Sequence, residues 1–313
     1  MATPQPGPDR GRIIVAGDLG IDIYLNLSEA MGLDEKRTAA SGQRGLGGTA
    51  ANAAAAILRL GARPLLHGAV GDDPLGGWTL TLLRDAGLDP SHVRVRPGRT
   101  MMAVILSGDG QRQIIVDRGV ADQVGSEELT ADLSAHDVVY LSTTPLSLAQ
   151  TVLAAGTGAR VVIGLEARQI THDSAPAWRH AWALSGLMVT NSAGEQALID
   201  AEAHRPAESQ PPGALIVTQG PAGATFTMAS GRRVRVPAVA VDAVDATGAG
   251  DCFAGALCFF LTQGETMLDS VRLAVVAASL SARSLGSQGG LPDQAQVRAV
   301  VDRIQPVGVD GPE

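Results

Sequence analysis

Apolar residues in this chain fall into two alternating patterns. Short aliphatic runs, RIIVAGD at 12–18, DVVYLS at 137–142, ARVVIGLE at 159–166, GLMVTN at 186–191 and ALIVTQG at 214–220, have strand length and many β-branched residues, and predict buried strands. Between them lie segments of helical composition: an Ala-rich stretch from Ala50 to Leu60 closed by Gly61, PLGGWTLTLLRDAGL stopped by Gly87, LSLAQTVLAAG, and the Trp-containing segment 176–186. PLLHGAVG and ATFTMAS read as further strands, and helices are expected in CFAGALCFFL and over 267–285 and 293–304. Strands alternating with helices predict an α/β fold with a doubly wound, mostly parallel sheet.

Two regions break this rhythm. IDIYLNL at 21–27 alternates with one polar face, and residues 92–117 divide into short antiparallel strands with GDG as a hairpin turn. They predict a small β-sheet lid, from about 21–40 and 92–120, over the carboxyl edge of the main sheet. The expected organisation is one domain over 12–305, between a disordered Pro/Gly tail at 1–11 and a short tail at 306–313. No internal repeat is visible, and AEAHRPAESQPPG at 201–213 reads as a linker.

Composition narrows the chemistry. With 313 residues, 45% hydrophobic, 38 glycines and 3% aromatic, the chain is an Ala/Val/Leu-rich globular protein. A net charge of −8 argues against general electrostatic binding of nucleic acid, while leaving room for a local cationic pocket that takes a small anion. No apolar stretch reaches the roughly 18 residues of a membrane span, and the N-terminus lacks the apolar core of a secretion signal. The expected location is the cytoplasm. Cys252 and Cys258, six apart in one predicted helix, read as reduced core thiols. Lys36 is the single lysine and sits in the charged segment DEKR, so Schiff-base, Walker-A and protein-kinase mechanisms lack a lysine in context.

The segment VDATGAGD at 244–251 carries the chemistry. One reading is a tight turn with Asp251 as a favourable charge at a helix start. The other is an anion hole: small residues let a ligand approach the free N–H groups of a helix N-terminus, and Asp251 beside them accepts a proton from a hydroxyl. Together these parts would suit phosphoryl transfer to an alcohol with Mg²⁺.

VDATGAGDCFAGAL is similar to the C-terminal signature of the ribokinase-like (PfkB) carbohydrate kinases. GLGGTAANAAAAILRLGA followed by HGAVGDDPLGG resembles the N-terminal signature, and VTQGPAGA the nucleotide-binding segment, with order and spacing agreeing from about residue 13 to 300. The resemblance implies that Asp251 is the base and that Gly248, Ala249 and Gly250 form the anion hole. It places Asp22 (in GDLGID), Gly47, Gly48 and Asn52 around the acceptor, and Thr218, Gly220 and Gly223 beside ATP. Asp245 and Thr247 match positions that in many relatives help hold a monovalent cation such as K⁺, with a loop-bracing role as the alternative.

The chain also departs from the family pattern. VTNSAGEQALI separates Asn191 from Glu195 by four positions, so either Asn191 or Ser192 stands for the family's Asn; Glu195 is expected to act on Mg²⁺ through water. Glu166 and Arg168 follow a strand where many relatives carry an Asp, and read as solvated loop residues. Ser279 is the one polar residue expected on an otherwise apolar adenine wall. Arg99, Arg112 and Arg118 lie in the lid region, within reach of an anionic acceptor or solvated. Implied is an ATP-dependent kinase acting on a primary hydroxyl of a small sugar of ribose, fructose or 2-keto-3-deoxygluconate type. The alternatives are a nucleoside kinase, which the scarcity of aromatics around Asp22 and Tyr24 disfavours, and a non-catalytic binding relative. A Rossmann dinucleotide site is excluded because GDLGID, not G-x-G-x-x-G, follows the first strand. A homodimer through exposed lid edges is a further expectation.

Overall fold

Ile13–Gly17 is buried on both sides: Ile13 and Val15 join one hydrophobic cluster while Ile14 and Ala16 join another. Val138–Ser142 repeats the division, Val138 and Tyr140 against Val139 and Leu141. Period-two side chains on a central strand thus feed two cores, one on each face of a sheet. The computed structural model describes residues 11–309 apart from 28, 30, 31, 33, 109, 110, 132 and 203–212.

The strands are β1 (Ile13–Gly17), β2 (Gly20–Asn26), β3 (Ser41–Gly47), β4 (Leu65–Gly71), β5 (Val93–Arg96), β6 (Met101–Gly108), β7 (Gln111–Asp117), β8 (Val138–Ser142), β9 (Arg160–Gly164), β10 (Leu187–Asn191), β11 (Ala214–Thr218), β12 (Ala224–Thr227), β13 (Arg233–Val236) and β14 (Val307–Val309). The helices are α1 (Thr49–Leu60), α2 (Pro74–Asp85), α3 (Ser126–Ala131), α4 (Leu146–Ala154), α5 (Ala175–Ser185), α6 (Ser192–Glu202), α7 (Ala249–Thr262), α8 (Met267–Ser281) and α9 (Gln294–Val301). The main sheet has ten strands in the order β14-β13-β12-β11-β10-β9-β8-β1-β4-β5, parallel from β11 to β5 and antiparallel beyond β11. Residues of α1, α7, α8 and α9 pack in one core, and residues of α4 and α5 in the other. Trp178 and Trp182 of α5 fill much of the second, each indole N–H satisfied by a backbone carbonyl. Cys252 and Cys258 are free, buried thiols, and burial pushes both up to about 12.

A separate four-stranded sheet, β3-β2-β6-β7, is the one expected to serve as a lid (the lid sheet). Its composition differs from the expectation in two places. Ser41–Gly47 is a lid strand that its sequence conceals: SGQRGLG has three glycines and four exposed residues, and it is ordered by pairing with β2 rather than by an apolar pattern. Conversely, Val93–Arg96 belongs to the main sheet. VRVR alternates because it is an edge strand, with Val93 buried and Val95 54% exposed, running parallel to β4.

At the C-terminus, Val307–Val309 is not a tail but the edge strand beside β13. Helix α3 was not anticipated, and α8 and α9 stop at Ser281 and Val301, short of 285 and 304. The N-terminal tail over 1–10, residues 109 and 110 of the GDG turn, linker positions 203–212 and residues 310–313 lie outside the described residues. Lys36 stands exposed in the connection between β2 and β3. Among the described residues no helix is long and apolar enough to cross a membrane.

Candidate active site

Strand order reverses at β1, which has β4 on one side and β8 on the other. Such a switch point opens a crevice at the carboxyl ends of the strands. Gly17 of β1 is in register with Ser142 of β8, so the two chains leave the sheet together and Asp18 meets Thr143.

Helices α1 and α7 begin side by side on this crevice. A Cβ on Gly255, one turn beyond Asp251, would lie 2.4 Å from the Ala53 carbonyl oxygen. The Ala-rich face of α1 and this glycine let the two backbones approach closely. As a result the first turns meet: Asn52 Nδ2 donates to Asp251 Oδ2 at 2.8 Å, and Gln288 Nε2 donates to Asn52 Oδ1 at 3.1 Å.

The start of α7 faces the crevice without a side-chain cap. Gly248 is its N-cap with φ of 76°, and no side chain caps the helix. The Ala249 N–H turns back to the Ala246 carbonyl, so Ala249 supplies shape to the expected hole rather than a donor. The amides of Gly250 and Asp251 have no acceptor among the described residues, and a Cβ on Gly250 would meet nothing within 4 Å. Donors at a helix start that face open space attract an anion.

Two buried carboxyls of this crevice are shifted upward, Asp251 and Asp22. Burial pushes Asp251 well above the ordinary carboxylate range; the Asn52 amide opposes the rise, while the charges of Asp18, Glu166 and Asp22 add to it. Asp22 packs where Gly47 has no side chain, since a Cβ there would lie 2.0 Å from Asp22 Oδ1. Burial raises Asp22 to about 6, against the effect of the Tyr24 hydroxyl that donates to Oδ2 at 3.2 Å, with Asp18 adding. Tyr24 rises to about 12, chiefly through burial.

The Asp22 shift has a testable consequence for stability. A carboxyl near 3.8 unfolded and about 6 folded binds more protons in the folded state between those values, so stability falls as pH rises through that window and stays lower above it. Asp22→Asn is therefore expected to be more stable than wild type above about pH 6, by on the order of 2 kcal/mol, with the gap closing near pH 4. Urea melts of both proteins at the two ends of the window check this.

Sequence reasoning missed several residues of the site. Asp18, 4% exposed, accepts from the Thr49 N–H (3.0 Å), the Thr49 hydroxyl (2.5 Å) and the Thr143 hydroxyl (3.1 Å), and lies 3.6 Å from Arg118. Its signal was an acid directly after an all-apolar strand. Gln288 had no local signal, because it reaches Asn52 from 236 positions away. Glu166 and Arg168 pair with each other at 2.7 Å, both partly exposed, and the charge of Glu166 adds to the rise of Asp251.

Asp245 and Thr247 brace the approach to the hole. Asp245 Oδ1 accepts from the Thr247 N–H (2.9 Å) and hydroxyl (2.6 Å), and Oδ2 from the Gly286 N–H (2.9 Å). Burial acts to raise Asp245, but these hydrogen bonds, with Arg112 nearby, hold it below its ordinary value. Arg112, on lid strand β7, donates to the Thr247 hydroxyl. Arg99 pairs with Asp117 of the same strand, and Arg118 with Asp122.

The expected nucleotide residues sit farther along the same sheet edge. Thr218 ends β11, in register with Asn191 of β10, and its hydroxyl donates to the Thr190 carbonyl. Gly220 opens the short 3₁₀ turn between β11 and β12, and Gly223 follows it. Asn191 Oδ1 accepts from the Gly194 N–H at 2.9 Å, so Asn191 rather than Ser192 caps α6. Glu195, in the first turn of α6, pairs with Arg233 at 3.3 Å. Ser279 is tied up locally, accepting from the Val239 N–H and donating to the Val275 carbonyl.

Comparison with known proteins gives the family and the fold. The profile of the pfkB family carbohydrate kinases matches residues 10–294. Ribokinase from Bacillus subtilis (strain 168) is 28% identical over 295 residues, covering 92% of this chain and 99% of its own. The bifunctional protein HldE of Caulobacter sp. (strain K31) is 35% identical over 262 residues, 77% of this chain, which spans 52% of that longer protein. In fold, the chain superimposes on the Burkholderia thailandensis nucleoside kinase solved in complex with inosine with a TM-score of 0.78, at 21% identity and covering 93% of this chain and 96% of that one.

Proposed function

Because the chain belongs to the pfkB family of carbohydrate kinases and is a phosphotransferase acting on an alcohol group, we propose that it moves the γ-phosphoryl of ATP to a primary hydroxyl of a small neutral sugar. The observation that carries this reading is the pairing of an uncapped helix N-terminus with a buried carboxylate of raised affinity for protons, one residue past the glycines. Asp251 takes the hydroxyl proton, and its elevated pKa makes it a stronger base than a solvated Asp. Asn52 orients the carboxylate through one oxygen, held in turn by Gln288. The N–H groups of Gly250 and Asp251 receive the charge of the transferring group.

Asp18, Asp22 and Glu166 surround the base with negative charge, while Arg99 and Arg118 are engaged by Asp117 and Asp122. That balance favours an uncharged polyol over a sugar acid or phosphosugar. Asp22, Gly47, Gly48 and Asn52 line the acceptor side. Thr218, Gly220 and Gly223 border the nucleotide.

Among the described residues no three acids or imidazoles gather as a metal cage. This fits Mg²⁺, which keeps its waters and binds chiefly through substrate phosphates, leaving Glu195 to hold it through water. When bound, Mg²⁺ neutralises developing charge on the phosphates. The lid offers β7 as an edge strand with Ile114, Ile115 and Val116 exposed, a surface suited to pairing with a second lid in a homodimer.

A coupled assay for ADP release with Mg-ATP tests the reading across ribose, fructose, 2-keto-3-deoxygluconate and nucleosides. Stimulation is expected with a neutral sugar and less with the acidic one. Stimulation by nucleosides alone would move the acceptor class, and no stimulation by any acceptor would refute the proposal.

A further inference from the structure

Arg112 is the lid's one described contact of charge with the loop that leads into the anion hole. It lies on β7 opposite Ser107, close to the hairpin end, and its guanidinium reaches 135 positions along the chain to the Thr247 hydroxyl. The same group stands 4.0 Å from Asp245. Gly248 follows Thr247 directly, so a lid cation borders the N-terminus of α7.

The resemblance to relatives would give this place to a monovalent ion, and the residues present do not fit one. Both Asp245 oxygens already take N–H or O–H donors, from Thr247 and Gly286. The Thr247 hydroxyl gives its proton to Asp245 and accepts from Arg112, which uses the group fully in one direction and brings a positive charge in the other. A delocalised guanidinium that is already within reach of the carboxylate supplies the compensating charge from the chain itself.

We infer that Arg112 is a latch and a built-in cation: its guanidinium closes the lid onto the anion-hole loop and does there what a bound monovalent ion would do. Closure then delivers positive charge beside the hole, and opening withdraws it. Covering the acceptor and completing the electrostatics of phosphoryl transfer become one event, so ADP formation without an acceptor stays low. Arg112 acts through the Asp245–Thr247 loop and is a positioning residue. The rate part of the inference rests on the kinase reading above; the latch and the cation substitution do not.

The test compares wild type, Arg112→Ala and Arg112→Lys, each checked for folding by circular dichroism. Amide hydrogen exchange of β7 and of residues 245–248 is expected to speed up roughly tenfold or more in Arg112→Ala, as loss of a lid contact lowers the cost of local opening. Thermal melting of wild type should be unchanged when KCl replaces tetramethylammonium chloride at fixed ionic strength, whereas Arg112→Ala should gain a K⁺-dependent rise. With an active acceptor, kcat of Arg112→Ala should fall roughly tenfold with KM for ATP little changed, and KCl should restore part of it. Arg112→Lys, which keeps charge without the planar fork, should lie between.

A wild type whose melting or rate depends on K⁺ would overturn the cation substitution, and unchanged exchange in Arg112→Ala would overturn the latch. If no acceptor is phosphorylated, the kinase reading fails alone, because the exchange and melting measurements still decide this one.

Discussion

Asp251→Asn is expected to lower kcat by a factor of about 10² or more while leaving Mg-ATP affinity unchanged, because it removes the proton acceptor and keeps the shape. The amide of the variant can still meet Asn52 at the Oδ2 position, so the first turns of α1 and α7 stay together. The pH profile separates a base from a bystander. Wild-type kcat/KM should rise with pH through a limb displaced above the ordinary carboxylate range, following the raised pKa of Asp251, and the residual activity of the variant should lack that limb.

Stability should move the other way. A carboxyl with a raised folded-state pKa binds more protons folded than unfolded, so its ionisation at neutral pH opposes folding, and removing the charge should raise the melting temperature there. A variant that loses rate and gains stability identifies a functional carboxylate held at a structural cost. Retention of more than about a tenth of the wild-type rate would end the assignment of Asp251 as the base.

The two glycines of the hole should give opposite signatures when each is changed to Ala. Gly248 has φ of 76°, and a Cβ there would lie 2.6 Å from Ser287 Cβ and 2.8 Å from its Cα. Gly248→Ala should therefore lose stability, by about 1–3 kcal/mol, together with about 10² or more in kcat as the hole shifts. Gly250 has no such neighbours and lies in the helix, where Ala is favoured by up to about 1 kcal/mol. Gly250→Ala should melt at or above the wild-type temperature, yet lose kcat to a similar degree, since its methyl occupies the space above the donors. Parallel melting curves and steady-state kinetics on both variants check the pair. Equal loss of stability in the two would show that the glycines serve packing alone.

The main sheet was legible because its strands are buried on both faces: VVYLS and RVVIG have no polar face to confuse the period. The lid was harder. Ser41–Gly47 has no apolar alternation and exists as a strand through backbone pairing with β2, which leaves no trace in local composition. Val93–Arg96 misled for the opposite reason, as an edge strand of a parallel sheet alternates like a hairpin strand.

At the site, Asp251, Asn52 and Asp22 were visible as motif residues, and the structure brings them to one crevice. Asp18 and Gln288 were not, since no motif assigns either position and only the folded contacts, with Thr49 and with Asn52, tie them to the site. The engagement of the Ala249 N–H by Ala246 could not be read either, because motif letters do not say which amides of a turn are already occupied.

The solitary lysine offers an experimental handle. Lys36 projects into solvent between two lid strands, and the remaining cationic side chains are arginines, which amine-directed reagents leave alone. A fluorophore coupled to its ε-amine would ride on the small sheet, and a partner dye on the main sheet would report any change of distance between the two in individual molecules. The same scarcity of lysine thus leaves one side-chain amine on the small sheet's connection open to selective labelling.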